Sequence, residues 1–374
     1  MKRIIHIISG LNNGGAEMML YKLLLNNDNY KYNCEVISMT DKGVLGRSIE
    51  RLGVKVHCLN LKRGFPNFQA LIQTVKIIKG ADIVQSWMYH ADLLAFLSTR
   101  IIKSTKLIWG IRRSSLNKED IKKSTFLVAK INAKLSKYVD RVISCSEAGR
   151  INHIQFGYNS GNIITIPNGF ELERFKKTNI SKKELNKLFN SYISNDTKII
   201  GMIARWNPIK NHELLFKALK ELDDNMKYNY KLVLCGPDVD EKNHSLNVML
   251  KKYDLQSKTV LLGRRDDIPL IMSAIDIFVS PSKSEGFSNV IGEAMACECI
   301  CIVTDVGDSK YIIGDEGLVV LPGDLQLMCE ALEKAITLPE NERLALGRLA
   351  RERVNNNFDI RKIVYEYFNV YESI

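Results

Sequence analysis

The sequence lacks any apolar run long enough to cross a membrane, because no hydrophobic stretch approaches the ~20 residues that a transmembrane helix needs. Its opening residues also lack the form of a secretory signal, since MKRIIHIISG leads directly into asparagines and glycines. Hydrophobic residues make up 45% of the chain and charged residues 25%, as in soluble globular proteins. We therefore expect a cytoplasmic protein.

The sequence also lacks the cysteine spacing of a zinc site. All eight cysteines lie in or beside apolar runs, which favours reduced core thiols over disulfides. Cys297, Cys299 and Cys301 are separated by single residues, whereas zinc-binding pairs usually have two or more residues between them. In a strand this alternation places the three thiols along one face of the sheet. We expect no metal here.

The length of 374 residues exceeds what one hydrophobic core usually supports, so two domains are expected. Residues 167–189 are polar and basic, with Pro167 and Gly169 at their head, and interrupt an otherwise regular alternation of apolar and amphipathic segments. We predict an N-terminal domain at 1–170, a linker region at 171–196 and a C-terminal domain at 197–358.

Short apolar runs alternate with helix-length amphipathic stretches in both halves of the chain. This rhythm is typical of mostly parallel sheets covered on both faces, in which ligands bind at the carboxyl ends of the strands. We predict an α/β fold of two doubly wound, Rossmann-like domains facing a central cleft. The predicted strands are 3–9, 34–38, 54–59, 82–85, 107–110, 141–145, 163–166, 198–204, 231–235, 260–262, 276–280, 300–303 and 318–321.

Positive charge is concentrated in the first half: residues 1–170 carry a net charge of +14 and residues 171–374 carry −3. Between Arg112 and Arg141, nine basic residues accompany three acidic ones. A helix over 121–135 would bring apolar residues together on one side and place lysines elsewhere. Such a helix either lies on an anionic membrane or packs on the core with a solvated basic face. The apolar residues are Phe126, Leu127, Ile131 and Leu135, and the lysines are Lys123, Lys130, Lys134 and Lys137.

Nucleic-acid binding is not expected from this basic region. It contains no recognised nucleic-acid-binding module, and aromatic residues do not alternate regularly with its basic residues.

The stretch from Ser284 to Cys297, SEGFSNVIGEAMAC, follows an apolar run that ends at Ser280 and leads into a predicted helix. A helix start has backbone N–H groups without intrahelical partners and a partial positive charge, which favours phosphate binding. Gly286 would let the backbone approach a ligand, and Ser288 or Asn289 would cap the helix.

Two carboxylates, Glu285 and Glu293, bracket this turn. Because carboxylates repel phosphate, we expect them to bind a group rich in hydroxyls. Arg205 and Lys210 lie in the loop RWNPIKN, after a predicted strand and before a helix, where two cations suit a diphosphate. The alternatives are an ordinary strand-to-helix crossover with solvated acids and a solvated pair of loop cations.

The segment SEGFSNVIGEAMAC, taken with Arg205, Lys210 and the earlier segment PNGFELERF, resembles the retaining glycosyltransferases of family 4, which have the GT-B fold and a Glu-x7-Glu signature. The resemblance covers both domains and nearly the whole chain. It implies that Glu285 contacts the donor sugar, that the amides between the two acids bind sugar and phosphate, and that Glu293 holds the ribose hydroxyls. It also implies that helix 359–374 packs back on the first domain.

The resemblance extends to residues elsewhere in the chain. It places the glycine turn of NNGGAE at the donor phosphate, Arg264 beside the uracil and His90 near the reacting sugar carbon. Trp87, Arg112 and Arg113 are further candidates on the acceptor side. For His90 the alternative is a structural role, and for Arg264 an ion pair with Asp266 or Asp267. The implied catalytic residues are Glu285, His90, Arg205 and Lys210; the implied donor-binding residues are Gly14, Gly15, Arg205, Lys210, Arg264, Glu285, Gly286, Phe287, Ser288, Asn289 and Glu293.

One position departs from the family pattern, which commonly has glycine after Ala-Cys. Glu298 stands there instead. A glycine would end the helix in a left-handed conformation, which a glutamate adopts at a cost of about 1 kcal/mol.

The activity implied by the resemblance is transfer of a sugar from a nucleotide-sugar, with retention of anomeric configuration and without a metal or other cofactor. The expected donor is a UDP-sugar. The expected acceptor is a glycan or a polyprenyl-diphosphate-linked glycan used in surface polysaccharide or glycoconjugate synthesis. Peripheral contact with the inner face of the cytoplasmic membrane would suit such an acceptor. The alternatives are a GT-B-like epimerase or phosphorylase and a non-catalytic nucleotide-sugar binder.

Overall fold

The computed structural model describes residues 1–12, 14–62, 67–116, 121–226 and 228–374. The chain divides into two compact units. Unit 1 consists of Met1–Gly169 and Ile360–Ile374, and unit 2 of Phe170–Asp359. The segment predicted as a linker region therefore belongs to unit 2, where it contains one helix, Lys182–Phe189.

Unit 1 is built on a seven-stranded parallel sheet of order β3-β2-β1-β4-β5-β6-β7. Its strands are β1 (Lys2–Ile8), β2 (Tyr32–Ser38), β3 (Lys55–Cys58), β4 (Ile83–Trp87), β5 (Lys106–Ile111), β6 (Arg141–Ser144) and β7 (Ile163–Thr165). Its first six helices are α1 (Gly15–Leu25), α2 (Gly46–Arg51), α3 (Phe68–Ile78), α4 (Tyr89–Ile102), α5 (Lys123–Leu135) and α6 (Glu147–Phe156).

Unit 2 is built on a six-stranded parallel sheet of order β10-β9-β8-β11-β12-β13. Its strands are β8 (Lys198–Ile203), β9 (Tyr230–Cys235), β10 (Thr259–Leu261), β11 (Ile277–Ser280), β12 (Ile300–Thr304) and β13 (Leu318–Val320). Its helices are α7 (Lys182–Phe189), α8 (His212–Asn225), α9 (His244–Lys252), α10 (Ile268–Ala274), α11 (Asn289–Ala296), α12 (Ser309–Ile313), α13 (Leu325–Thr337) and α14 (Glu340–Phe358).

The last helix, α15 (Ile360–Ser373), is part of unit 1. Its buried residues Ile363, Val364 and Tyr367 join the same core as β1 and α1. Phe368 stacks on Tyr32 with ring centroids 4.6 Å apart. The first domain is therefore completed by residues from the other end of the chain.

The predicted fold class is confirmed by this architecture, and each predicted strand agrees with an observed one to within two residues at either end. The reason is that central strands such as β4 and β11 are buried along their whole length. A strand buried on both faces needs a continuous apolar run, which is easy to recognise in a sequence. Among the residues that the structure describes, no helix is long and apolar enough to span a bilayer.

The predicted apolar side of α5 is confirmed only in part. Ile131 and Leu135 are partly buried and pack against the cluster that contains Val128 and Ala129, whereas Leu127 is 52% exposed. The fully buried residues of α5, which packs beside α4, are Val128, Ala129, Asn132 and Ala133. Leu127 consequently shares the outer surface with the lysines of this helix. Lys118, which belongs to the predicted basic region, lies outside the described residues.

Glu298 adopts the left-handed conformation expected at the end of α11, with φ of 62°. Replacing Glu298 with glycine should increase the free energy of unfolding by about 1 kcal/mol, because glycine relieves the strain of a side chain in this region. Glu298→Ala retains the Cβ atom and serves as the control. Urea denaturation of both variants tests this prediction, and equal midpoints would contradict it.

Candidate functional site

The strand order of each sheet reverses at one point, which is where ligands bind in open parallel α/β sheets. In unit 2 the reversal lies between β8 and β11, because β9 lies on the far side of β8 and β12 on the far side of β11. Arg205 and Lys210 follow β8, and Glu285 follows β11. The sequence-predicted cations and the first acid of the signature therefore leave the sheet on the two sides of the reversal.

Lys210 and Glu285 are in direct contact at this point. The Lys210 Nζ donates to Oε1 of Glu285 at 2.6 Å, and the Ser282 hydroxyl donates to the same oxygen at 2.6 Å. The side chains are only 22% and 11% exposed, so solvent screens their attraction less than it would on an open surface. The pair places a cation and a carboxylate side by side, which suits a ligand that combines phosphate with hydroxyl groups.

The loop that carries Glu285 is held by its neighbours through backbone contacts. The Lys283 amide donates to the Ile209 carbonyl at 2.7 Å, which joins this loop to the turn that carries Lys210. On its other side, the Asp308 amide donates to the Gly286 carbonyl at 2.9 Å. These bonds fix both ends of the short segment around Glu285.

Gly307 allows the loop after β12 to come close enough for the hydrogen bond between Asp308 and Gly286. Its φ is +56°, and a Cβ atom there would lie 2.6 Å from the Gly286 carbonyl oxygen and 2.8 Å from the Glu285 carbonyl carbon. Both the backbone conformation and the available space therefore require glycine. The loop after β12 acts as a support for Glu285.

An aromatic cluster lies beneath the same segment. Phe287 is buried and packs against Phe170 and Phe358, with ring centroids 6.0 Å and 5.7 Å away. A Cβ atom at Gly292 would clash with the ring of Phe170. Because the Phe287 side chain is directed into this cluster, its predicted contribution to donor binding is restricted to its backbone.

Further predicted site residues of unit 2 are Arg205, Glu293, Ser288 and Asn289. Arg205 is exposed, and its position is defined by hydrogen bonds from Ala204 to Cys235 and from Trp206 to Pro237. Glu293 is half-buried on α11. Asn289 is the first residue of α11 and Ser288 precedes it, but the Ser288 side chain makes no capping hydrogen bond, so its predicted capping role is wrong.

Arg264 is exposed after β10. The ion pair considered for it is instead made by its neighbour: Arg265 Nε donates to Asp267 at 2.8 Å. Arg264 thus remains a surface cation at the carboxyl end of β10.

In unit 1 the strand order reverses between β1 and β4. Gly14 and Gly15 follow β1, and His90 follows β4 as the second residue of α4. His90 is half-buried, and burial lowers the pKa of its imidazole, which favours the neutral form. The predicted residues of unit 1 therefore also lie at a strand-order reversal.

The glycine turn contains a carboxylate that the sequence interpretation did not consider. Glu17 lies beside Gly14, so a Cβ atom at Gly14 would clash with the Glu17 carboxylate. Burial raises the pKa of Glu17, which favours its protonated form relative to an exposed glutamate. Asn13, also part of the predicted turn, lies outside the described residues.

Trp87 does not line a pocket, because it has no exposed surface. Its indole Nε1 donates to His6 Nδ1 at 3.3 Å, and the Arg112 guanidinium lies 4.7 Å from its ring. Arg112 in turn donates to Asn168 at 2.8 Å and to the Tyr367 hydroxyl at 2.6 Å. The acceptor-side prediction for Trp87 is therefore corrected to a packing role, and Arg112 connects β5 to α15. Arg113, beside it, is half-buried.

Two family models match the chain in succession. Residues 13–174 match the model described as Glycosyltransferase Family 4, and residues 184–353 match the model described as Glycosyl transferases group 1. The chain belongs to glycosyltransferase family 4. This assignment confirms the family to which the sequence showed a resemblance, and together the two models cover most of the chain.

Relatives within this glycosyltransferase family include proteins of polysaccharide and lipid-linked glycan synthesis. The capsular polysaccharide biosynthesis glycosyltransferase CapM of Staphylococcus aureus is 27% identical over 85% of this chain and 84% of its own length. The UDP-Gal:alpha-D-GlcNAc-diphosphoundecaprenol alpha-1,3-galactosyltransferase of Escherichia coli is 25% identical over 87% of this chain and 84% of its own length.

A solved structure confirms the fold. The HepE protein of Anabaena in complex with UDP superimposes with a TM-score of 0.85, at 20% identity and over 100% of both chains. This glycosyltransferase therefore has the two-domain GT-B fold.

We expect Gly307→Ala to weaken binding of UDP, the nucleotide in the Anabaena complex, about tenfold, because the added Cβ atom would push the Glu285 and Gly286 backbone away from Lys210. Gly323→Ala is the matched control, since Gly323 also has positive φ, of +80°, but has nothing within 4 Å of an added Cβ. Both variants should lose stability to backbone strain, whereas only the first should lose affinity. Titration calorimetry with UDP measures the difference, and equal affinities would contradict the supporting role of Gly307.

Proposed function

We propose that this glycosyltransferase transfers a hexosyl group from a UDP-sugar to a hydroxyl of a polysaccharide or polyprenyl-diphosphate-linked glycan, with retention of anomeric configuration. The observation that carries the proposal is the Lys210–Glu285 pair at the strand-order reversal of unit 2. The UDP bound by the Anabaena neighbour and the lipid-linked acceptor named for the Escherichia coli relative support the substrate classes.

In unit 2, one group of residues is proposed to bind the charged diphosphate of the donor, and a second group is proposed to bind its hydroxyls. Arg205, Lys210 and the first amides of α11 stabilise the departing diphosphate, a task that a bound cation performs in other enzymes. Glu285 orients the hexose through its hydroxyls, and Glu293 holds those of the ribose. The proposal assigns no step to a metal ion.

The proposed reaction exchanges one bond at the anomeric carbon for another on the same face of the sugar. The bond from this carbon to the UDP oxygen breaks, and the electron pair leaves with UDP. The acceptor oxygen forms the new bond, and its proton passes to the departing phosphate. The proposal assigns His90 a contact near the anomeric carbon, and burial lowers the pKa of its imidazole, which favours the neutral form for that role.

The surface of α5 supports peripheral contact with an anionic membrane. Leu127 is 52% exposed and Tyr138, just beyond the helix, is 54% exposed, so apolar surface lies among the lysines. Lys130 Nζ is 5.2 Å from the Phe126 ring centroid. Lysines attract anionic headgroups while exposed apolar side chains enter the interface, so this surface has both components of peripheral binding.

Glu285→Gln should lower the turnover rate at least about 100-fold, because the amide neither pairs with the Lys210 ammonium nor orients a hydroxyl as a charged acceptor. Release of UDP from a UDP-hexose is measured with a polyprenyl-diphosphate-linked acceptor, and EDTA should leave it unchanged. Glu173→Gln, at a side chain that is 91% exposed, is the control. Full activity of Glu285→Gln would contradict the role of Glu285.

The same assay separates the proposed transferase from the alternatives. UDP release that depends on the acceptor supports transfer. Isomerisation of the sugar without acceptor would identify an epimerase, and donor binding without turnover would identify a binding protein. Inversion at the anomeric carbon would contradict the retaining mechanism.

Replacing four lysines of the α5 region with serine should reduce binding to vesicles containing anionic lipid, because each lysine near such a surface contributes about 1 kcal/mol. Co-sedimentation with vesicles measures the loss. The substituted residues are Lys122, Lys123, Lys130 and Lys134.

A charge-matched control carries four lysine-to-serine changes in the other unit, and it should bind these vesicles as the unmodified protein does. Equal losses in both variants would show a general charge effect, and no loss in either would contradict membrane contact through α5. The control residues are Lys183, Lys242, Lys251 and Lys334.

A further inference from the structure

Met88, between β4 and α4, has a backbone conformation that side-chain-bearing residues rarely adopt. Its φ is 74° and its ψ is 156°. This combination is populated almost only by glycine, because the Cβ atom of any other residue is strained there. Residues held in such conformations cluster at functional sites and persist only where the surrounding structure enforces them.

Met88 differs from the other non-glycine residues with positive φ in the described part of the chain. Eight residues have this property, and five of them are Asn or Asp, whose short polar side chains tolerate it. Lys103, at the opposite end of α4, has ψ of −18° and makes an ordinary left-handed helix end. Met88 instead begins its helix, immediately before Tyr89 and His90.

Three hydrogen bonds hold Met88 in this conformation. The Met88 amide donates to the Gly110 carbonyl at 2.9 Å, and its own carbonyl accepts from the Asp92 amide at 3.0 Å. The Arg112 amide donates to the Met88 sulfur at 3.3 Å. Contacts from β5 and from α4 therefore hold both the backbone and the side chain of this residue.

The next residue, Tyr89, is held equally firmly. Its carbonyl accepts from the Asn132 side chain at 2.9 Å, and its hydroxyl lies 3.0 Å from His153 Nε2. Both partners are fully buried. Anchoring on each side of the Met88–Tyr89 peptide determines the direction in which the first turn of α4 leaves the sheet, and His90 lies on that turn.

We propose that Met88 is a positioning residue, a strained turn that sets the direction of His90 for sugar transfer. The inference rests on the proposed role of His90 at the reacting carbon. Glycine has access to many more backbone conformations than methionine, so Met88→Gly would let the first turn of α4 leave the sheet in other directions, and His90 would lose the alignment that the reaction requires.

The experiment compares Met88→Gly with Met88→Ala. Both remove the side chain, including its sulfur contact, but only glycine relieves the strain. We expect Met88→Gly to melt about 2 °C or more above Met88→Ala, the reverse of the usual order of these two residues. We also expect Met88→Gly to have a kcat about 10-fold or more below that of Met88→Ala. Stability and activity thus change in opposite directions.

Lys103→Gly and Lys103→Ala form the matched control at the other end of the same helix. Glycine should again be the more stable variant, because Lys103 has positive φ, but the two should be equally active, since Lys103 is exposed and remote from His90. A melting point of Met88→Ala at or above that of Met88→Gly would overturn the inference, and so would equal kcat values for the two.

A double variant tests whether Met88 acts through His90. If it does, adding Met88→Gly to His90→Ala should cost no further activity, whereas an independent structural effect would add its full loss. Loss of activity in His90→Ala alone, with additive effects in the double variant, would overturn this inference and leave the proposed function intact. Full activity of His90→Ala would instead overturn the role assigned to His90 in the proposed function.

Discussion

The ion pair between Lys210 and Glu285 is the interaction on which the site of this glycosyltransferase depends. It joins the loops after β8 and β11, the two strands between which the order of the unit 2 sheet reverses. The pair is mostly buried, and the Glu285 carboxylate also accepts from the Ser282 hydroxyl. Removing either member of the pair would leave the other charge without its counterion in a poorly solvated position. In the proposed function, the phosphates of a nucleotide-sugar take the place of Glu285 at the Lys210 ammonium, and its hydroxyls donate to the Glu285 carboxylate.

Support for the site comes from positions with no direct part in the chemistry. Gly307 lets the loop after β12 contact the backbone at Glu285, and Phe170 packs against both Phe287 and Gly292. In unit 1, strain at Met88 is held by contacts to Gly110 and Arg112. Unusual backbone conformations in both units thus orient a few polar side chains. Catalysis by preorganised electrostatics requires side chains held in this way.

The fold was predictable from the sequence because central strands buried on both faces need continuous apolar runs. The edge strands β3 and β10 contain no fully buried residue but follow the same alternation with helices. The contact between Lys210 and Glu285 was not, since 75 residues separate them and only the tertiary fold brings them together. The burial of Trp87 was missed for the same reason: the Tyr367 that stacks on it comes from the last helix. Leu127 was wrongly assigned to the buried side of α5, since the small Ala129 and Ala133 are buried there beside Ile131 and Leu135. The supporting role of Gly307 could have been suspected, because a glycine shortly after a predicted strand often marks a close approach of the backbone.

The most direct test of the central claim is a crystal structure of the protein soaked with a UDP-hexose. We predict the diphosphate within hydrogen-bonding distance of Lys210 Nζ and of Arg205, with hexose hydroxyls donating to the Glu285 carboxylate. A nucleotide bound elsewhere, or bound with the Lys210–Glu285 pair unchanged and out of contact with phosphate and sugar, would contradict it.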